Sequence, residues 1–177
     1  MKLWPGWLVV LAGACGGGGN AYSIPTTSNQ AGHMAATPAN SANATVVRVV
    51  DGDTIDVTIG GHKERVRLIG VDTPETVKPN TPVQCWGPQA STFTKHTLPP
   101  GTPVELVRDA EARDDYGRLL AYVYRGSDGL FVNLELARLG FARPLTIAPN
   151  VTFSAQFVAA ATAAEAADLG LWAVCNR

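Results

Sequence analysis

The chain has 177 residues, with 14 Lys and Arg against 15 Asp and Glu. That length suits one domain with a sizeable core. All 15 acids, and every Lys and Arg except Lys2, lie from Arg48 onward, which leaves that part with two more acids than bases. Such a balance excludes the broad positive surface of a duplex-coating protein, so any nucleic-acid binding must come from a few placed arginines.

Residues 1–15 open with Met1 and Lys2 and continue with an apolar run from Leu3 to Ala12. The run is too short to span a bilayer as a helix and fits the core of a signal peptide. Leu11-Ala12-Gly13-Ala14-Cys15 resembles a bacterial lipobox, with Ala12 where such boxes usually carry Leu. Lipidation of Cys15 would tether the protein to the outer face of a membrane. Ordinary secretion with cleavage nearby and a retained anchor are the other two readings. Residues 16–43 are rich in Gly, Ala, Ser, Thr, Asn and Pro without periodicity and read as a flexible tether in which His33 is incidental. With Cys15 lipidated, Cys85 and Cys175 remain as an even pair in an oxidising compartment. A bond between them would close about 90 residues and stabilise by roughly 4–5 kcal/mol at most. Two buried free thiols are the alternative.

The folded part, 44–177, begins with β-branched 44–50, a strand by composition. Asp51-Gly52-Asp53 is a turn signal, 54–59 alternates with period two, and Gly60-Gly61 is a hairpin turn. A third strand, 63–71, completes a meander. A Pro-rich loop over 74–86 leads to a helix from Gly87 to about Leu98, with Pro88 in its first turn. Strands follow at 104–108 and 119–124, separated by the charged loop 109–117. A short helix over 133–139 stops at Gly140. After a loop, an Ala-rich helix from Thr152 to about Leu169 places Phe153, Phe157, Ala160, Ala164 and Leu169 toward the core, and Leu171-Trp172 folds back. Three strands, a helix, two strands and a helix give an α+β, mainly β class, close to a five-stranded OB-fold barrel with about three helices.

The stretch Arg67-Leu-Ile-Gly-Val-Asp-Thr-Pro-Glu-Thr76 carries charges at both ends of an apolar run. Asp51-Gly52-Asp53 alone is an ordinary hairpin turn, and Asp72-Thr73-Pro74-Glu75 alone an ordinary strand end. Together they suggest more, because a meander can bring Asp53 beside Asp72. Two carboxylates and a backbone carbonyl suit a partly open calcium site, and Glu75 could orient or deprotonate a water. By alternation Lys63, Arg65 and Arg67 share one face of strand three, with Arg67 where that face turns inward. Arg118, at the start of strand five, reads either as an ion pair with Asp114 or Asp115 or as the second arm of a phosphate clamp. Two guanidiniums could hold a phosphodiester by forked hydrogen bonds and stabilise charge developing on phosphorus.

Five blocks in order, 50–54, 67–76, 87–95, 114–124 and 132–142, resemble the staphylococcal nuclease (thermonuclease) family across 44–177. The resemblance implies a Ca²⁺-dependent phosphodiesterase that cuts DNA and RNA, single strands favoured, and leaves 3′-phosphate ends. It implies Asp53 and Asp72 as metal ligands, with the Thr73 carbonyl. It implies Arg67 and Arg118 as the phosphate clamp, Glu75 as general base or water-positioner, Tyr116 in the nucleotide pocket, and Asp51 in support. Asp115 replaces a lysine of the family's type member, and Pro144–Ile147 lacks its second pocket tyrosine. The expected form is an exported monomer, surface-anchored through Cys15 or secreted. A non-catalytic OB-fold binding module is the rival reading, and a surface-tethered structural or adhesion lipoprotein a third.

Overall fold

The computed structural model describes residues 41–175. The leader with Cys15, most of the tether with His33, and residues 176–177 lie outside the described residues. Strands β1 (Ala44–Asp51), β2 (Thr54–Ile59) and β3 (His62–Leu68) form the expected antiparallel meander. Gly60 and Gly61, both with positive φ, make the β2–β3 turn. β5 (Pro103–Val107) and β6 (Leu119–Arg125) pair with each other, and the sheet closes in the order β1-β2-β3-β6-β5. β5 returns to β1 antiparallel, while β3 meets β6 in parallel. Ahead of β1, the Asn43 N–H donates to the Val104 carbonyl and its side chain bonds the Leu106 backbone in both directions.

Alternation fills the barrel. Ile55, Val57, Val66, Leu68 and Val104 are fully buried, while Asp56, Arg65 and Thr58 face outward. The expectation of one third strand running to Val71 is corrected. β3 ends at Leu68, and β4 (Gly70–Asp72) leaves the barrel to pair with β7 (Arg143–Leu145). The cause is Gly70. Its φ is +85°, and a Cβ there would lie 2.0 Å from the Phe157 ring, so only glycine permits the kink and the close approach. Buried Asn133 closes the gap that the kink opens. Its amide donates to the Ile69 and Ala121 carbonyls, and its oxygen accepts from the Val123 N–H.

Helix α1 (Gly87–Thr97) lies near its expected bounds, with proline in its first turn, and α2 is Val132–Arg138. The Ala-rich helix α3 is shorter than expected, Ser154–Ala166, and buries Phe157, Ala161 and Ala164. Leu169 lies beyond it and is exposed, contrary to its expected core role. The chain turns at Gly140 and Gly170, whose backbones touch too closely for side chains, and buried Leu171 opens α4 (Leu171–Val174). Tyr122, Phe131, Phe153 and Phe157 pack ring to ring under α3. Cys85 and Cys175 are joined by a disulfide that ties the segment before α1 to the C-terminal helix. Among the described residues no helix is long and apolar enough to cross a membrane.

Candidate active site

The β1–β2 turn is drawn tight against the segment after β4. A Cβ at Gly52 would lie 2.7 Å from the Thr73 hydroxyl, and the Thr94 hydroxyl of α1 donates to the Gly52 carbonyl. This closeness lets one carboxylate hold the other loop. Asp53 Oδ2 accepts from the Thr73 N–H at 2.8 Å and the Thr73 hydroxyl at 2.9 Å, while Thr54 bonds Oδ1. Asp53 is buried and, among the described residues, forms its ion pair with Arg67.

Arg67 stands at the end of β3, opposite Thr54. Its Nη1 donates to the carbonyls of Leu68 and Val71, which fixes the guanidinium in one pose. Its Nη2 lies 3.2 Å from Asp53 and 3.0 Å from Asp72. The kink at Gly70 makes this possible, because it returns the Val71 carbonyl and Asp72 to the side chain that left the barrel at Arg67. Burial raises the Asp72 pKa and Arg67 opposes it, while the Asp53 and Glu75 carboxylates add to the rise. The side chain still keeps an open edge, being 57% exposed.

Asp51 and Glu75 form a second cluster. Asp51 accepts from the Thr76 hydroxyl at 2.7 Å, the Thr76 N–H and the Gly52 N–H. Glu75 Oε1 accepts from three consecutive N–H groups, of Thr76, Val77 and Lys78, within 2.9 Å. Gln84 braces the same residue from outside, its side chain taking the Glu75 N–H and its N–H reaching the Glu75 carbonyl. The two carboxyls also act on each other's proton affinity, raising that of Asp51 and lowering that of Glu75. Burial pushes Asp51 above its usual range, with Thr76 partly offsetting it and Glu75 adding to the rise. Burial works the same way on Glu75, but the N–H donors and Asp51 outweigh it and hold the Glu75 carboxyl below its usual range.

The opposite wall is a loop. Asp114 Oδ1 accepts from the N–H groups of Tyr116 and Arg118, and its Oδ2 takes the Arg118 Nε at 2.6 Å. Of the two carboxylates expected as alternatives, Asp114 is the one that pairs. Arg118 lies over the Tyr116 ring at 5.4 Å, and Tyr116 is 86% exposed.

These walls enclose an open cleft of about 1240 Å³, lined by Asp51, Asp53, Arg67, Asp72, Thr73, Glu75, Tyr116 and Arg118 among others. All the residues singled out in the chain from 51 to 118 for chemistry therefore face one cavity. Composition and spacing missed Gln84, Thr76 and Thr54, which hold the acids in place. Thr76 directly follows Glu75 and could have been suspected as a local cap. Gln84 lies nine residues away in a Pro-rich loop and carries no signal of its own.

The donor set fits a hard cation. Asp53 Oδ2 and Asp72 Oδ1 converge on one guanidinium nitrogen, so the two anions are close and already share a cation. Together with the carbonyl of the buried Thr73 they offer oxygen ligands alone, the chemistry that calcium prefers. Among the described residues no group of three His, Cys, Asp or Glu side chains converges on a metal, so water or substrate oxygens would complete the shell.

A profile described as "Staphylococcal nuclease homologue" matches residues 65–174. The chain is 50% identical over 127 residues to the thermonuclease of Staphylococcus intermedius, covering 72% of this chain and 74% of that protein. It is 44% identical over 134 residues to the thermonuclease of Staphylococcus hyicus, covering 76% and 78%. It is 39% identical over 159 residues to the endonuclease YncB of Bacillus subtilis, covering 84% and 74%. By the profile match and by these identities, the chain belongs to the staphylococcal nuclease family.

Proposed function

We propose that the protein is an exported, calcium-dependent phosphodiesterase that hydrolyses DNA and RNA, single strands by preference, to products with 3′-phosphate ends. The observation that carries this reading is the convergence of Asp53 and Asp72 on Nη2 of Arg67, in the same cleft as Arg118 and Glu75. The relatives named as thermonucleases and an endonuclease support it.

Asp53, Asp72 and the Thr73 carbonyl would hold calcium, which when bound supplies positive charge to the phosphodiester. Arg67 is held by two carbonyls on Nη1 and two carboxylates on Nη2, so its charge stands fixed beside the metal ligands and Nε is the donor left to a phosphate oxygen. Arg118 is anchored through Nε by Asp114, which leaves its terminal nitrogens for the phosphate. As the bond from water to phosphorus forms and the P–O5′ bond breaks, the water gives up a proton to solvent and O5′ takes one up, while charge grows on the phosphoryl oxygens and the two guanidiniums stabilise it. Glu75 orients the attacking water. Three N–H donors hold its Oε1 in place, so the carboxylate meets that water in a fixed pose. Tyr116 offers an exposed ring against which a base can stack. Asp51 holds the Glu75–Thr76 segment rather than touching the metal ligands.

The Cys85–Cys175 disulfide supports an oxidising compartment, and the leader supports export, with Cys15 as lipid anchor or the chain secreted. The protein acts as a monomer. The deciding assay uses purified protein on single-stranded DNA, duplex DNA and RNA, with Ca²⁺ and with chelator. Cleavage that needs Ca²⁺, is fastest on single strands and leaves 3′-phosphates is expected. Binding without turnover in any divalent metal would make the protein a non-catalytic module. Mass spectrometry of the mature N-terminus reads whether Cys15 carries lipid.

A further inference from the structure

We propose that the outer face of β1–β3 is a strand-binding track, on which Arg65, Lys63 and Arg48 hold the phosphates of a single-stranded nucleic acid beyond the nucleotide at the reaction centre. The inference rests on the nuclease reading for the identity of the ligand, and on the surface itself for the site.

The register builds the track. Arg67, Arg65 and Lys63 alternate along β3 and so project from one face, each pair about 6.6 Å apart along the strand. That interval is comparable with one nucleotide of an extended single strand. Across the sheet, Arg65 stands opposite Asp56, and Asp56 opposite Arg48, so two arginines flank one carboxylate. Asp56 Oδ1 accepts from Arg65 Nε at 2.7 Å, and Oδ2 from Arg48 Nε at 2.8 Å and from Arg65 Nη2. One anion thus orients two guanidiniums, and a net positive charge remains. Among the described residues, neither Nη1 group donates a hydrogen bond to an acceptor. Lys63 lies one step further out, exposed, opposite Thr58.

A row of surface ion pairs would have the same contacts, so the position decides. Arg48, Lys63 and Arg65 line the same cleft as Arg67 and Arg118. Elsewhere, Arg125 and Arg138 are paired with acids three residues away, each within its own turn or helix. The cleft lining also carries acids, but on this stretch Asp56 is shared by two arginines and Glu64 is paired with Arg113, so the surface leading from the reaction centre keeps a net positive charge for a polyanion.

The test is anisotropy of a labelled single strand of about 12 nucleotides, and of a dinucleotide whose one phosphate sits at Arg67, with the full protein in chelator so that nothing is cut. The double variant R65A/K63A is expected to bind the longer strand about tenfold more weakly at low salt. Its slope of log affinity against log salt should fall by about 1.4, for two lost phosphate contacts. The dinucleotide should lose little. Asp56→Asn, which removes the competing anion while keeping the shape, is expected to tighten the longer strand several-fold. Unchanged binding of the longer strand by the double variant overturns the track, as does an equal loss for both lengths or weaker binding by Asp56→Asn. If the wild-type protein cuts nothing but the double variant still loses the longer strand, the nuclease reading fails and the track stands. If the wild-type protein cuts and the variants bind as it does, the track alone fails.

Discussion

The two walls of the cleft are made differently. The Asp53–Arg67–Asp72 wall is assembled by the barrel. Asp53 reaches Thr73 across 20 residues, and Arg67 is held by carbonyls on both sides of the Gly70 kink. In the other wall the Arg118 side chain is oriented from within its own loop, although the loop's ends are tied to β3 through Arg113 and to Thr152 through Asp109. Asp114, four residues away, makes the hydrogen bonds that orient Arg118, and Tyr116 stands in solvent. In the first wall function and stability share the same bonds. In the second they are separable.

The largest expected effect follows from that sharing. Asp53→Ala removes the acceptor of two Thr73 donors and one charge partner of a mostly buried guanidinium. A loss of about 2–4 kcal/mol in stability is expected, with Thr73 and Arg67 left short of partners. Nuclease activity should fall by at least about a hundredfold. Thermal unfolding and the cleavage assay, run together, check both. Full activity in this variant would remove Asp53 from the site.

Arg118→Ala should separate the two readouts. Activity is expected to fall about 10²–10³-fold, the scale of losing one stabiliser of the developing charge. Stability should move by less than about 1 kcal/mol, because the lost pair with Asp114 is local and partly open to water. If unfolding shifts as far as in Asp53→Ala, the loop wall is structural too and the contrast fails.

The difference between the walls also explains what could be read from residues alone. Alternation in β2 and β3, the turn at Gly60-Gly61 and the proline-led α1 follow from local rules, and they placed Asp53, Arg67 and Arg118 on one barrel. The end of β3 did not follow. Leu68-Ile69-Gly70-Val71 looks like a continuing buried strand, and the reason it breaks is Phe157, which is 87 residues further along. Periodicity cannot see a ring that arrives from another helix. Gln84 and Asn133 were missed for the same reason, since each is a polar side chain whose partners are set by tertiary approach. Asp114 could be named only as one of two candidates, because Asp114 and Asp115 are adjacent and the turn decides which one points back.

The loop wall has its own anchor at Asp109, where a pH test applies. Asp109 accepts from the Tyr122 hydroxyl, from the Thr152 N–H and hydroxyl, and from the Ala110 N–H. Burial works to raise its pKa, and these donors outweigh burial and hold it below the usual carboxylate range. A depressed carboxyl adds stability above its unfolded pKa, near 4 by the ordinary value for Asp, and that contribution is lost as pH falls through its folded value. Asp109→Asn should therefore cost about 1 kcal/mol at neutral pH, and the gap to the unsubstituted protein should close below about pH 4. Melting curves of both proteins from pH 7 to 3 give the comparison. A gap that persists unchanged into acid would show that the loss is one of shape rather than charge.

The smallest effect tests whether the loop wall can be strengthened without touching the other. Asp115 directly precedes Tyr116 and puts an anion in this turn, at a position where the family's type member carries lysine. Asp115→Lys exchanges that anion for a cation in a fully local turn, so the Asp53–Arg67–Asp72 wall should be unaffected. Tighter binding of a single strand by a few-fold is expected, lost at high salt because the site is exposed and screened. Stability should stay within about 0.5 kcal/mol of the parent, as for most surface substitutions. Titrating an oligonucleotide at two salt concentrations reads the effect. An affinity gain that survives high salt would mean that the lysine makes a specific buried contact, and the loop would then be less independent of the barrel than its bonds suggest.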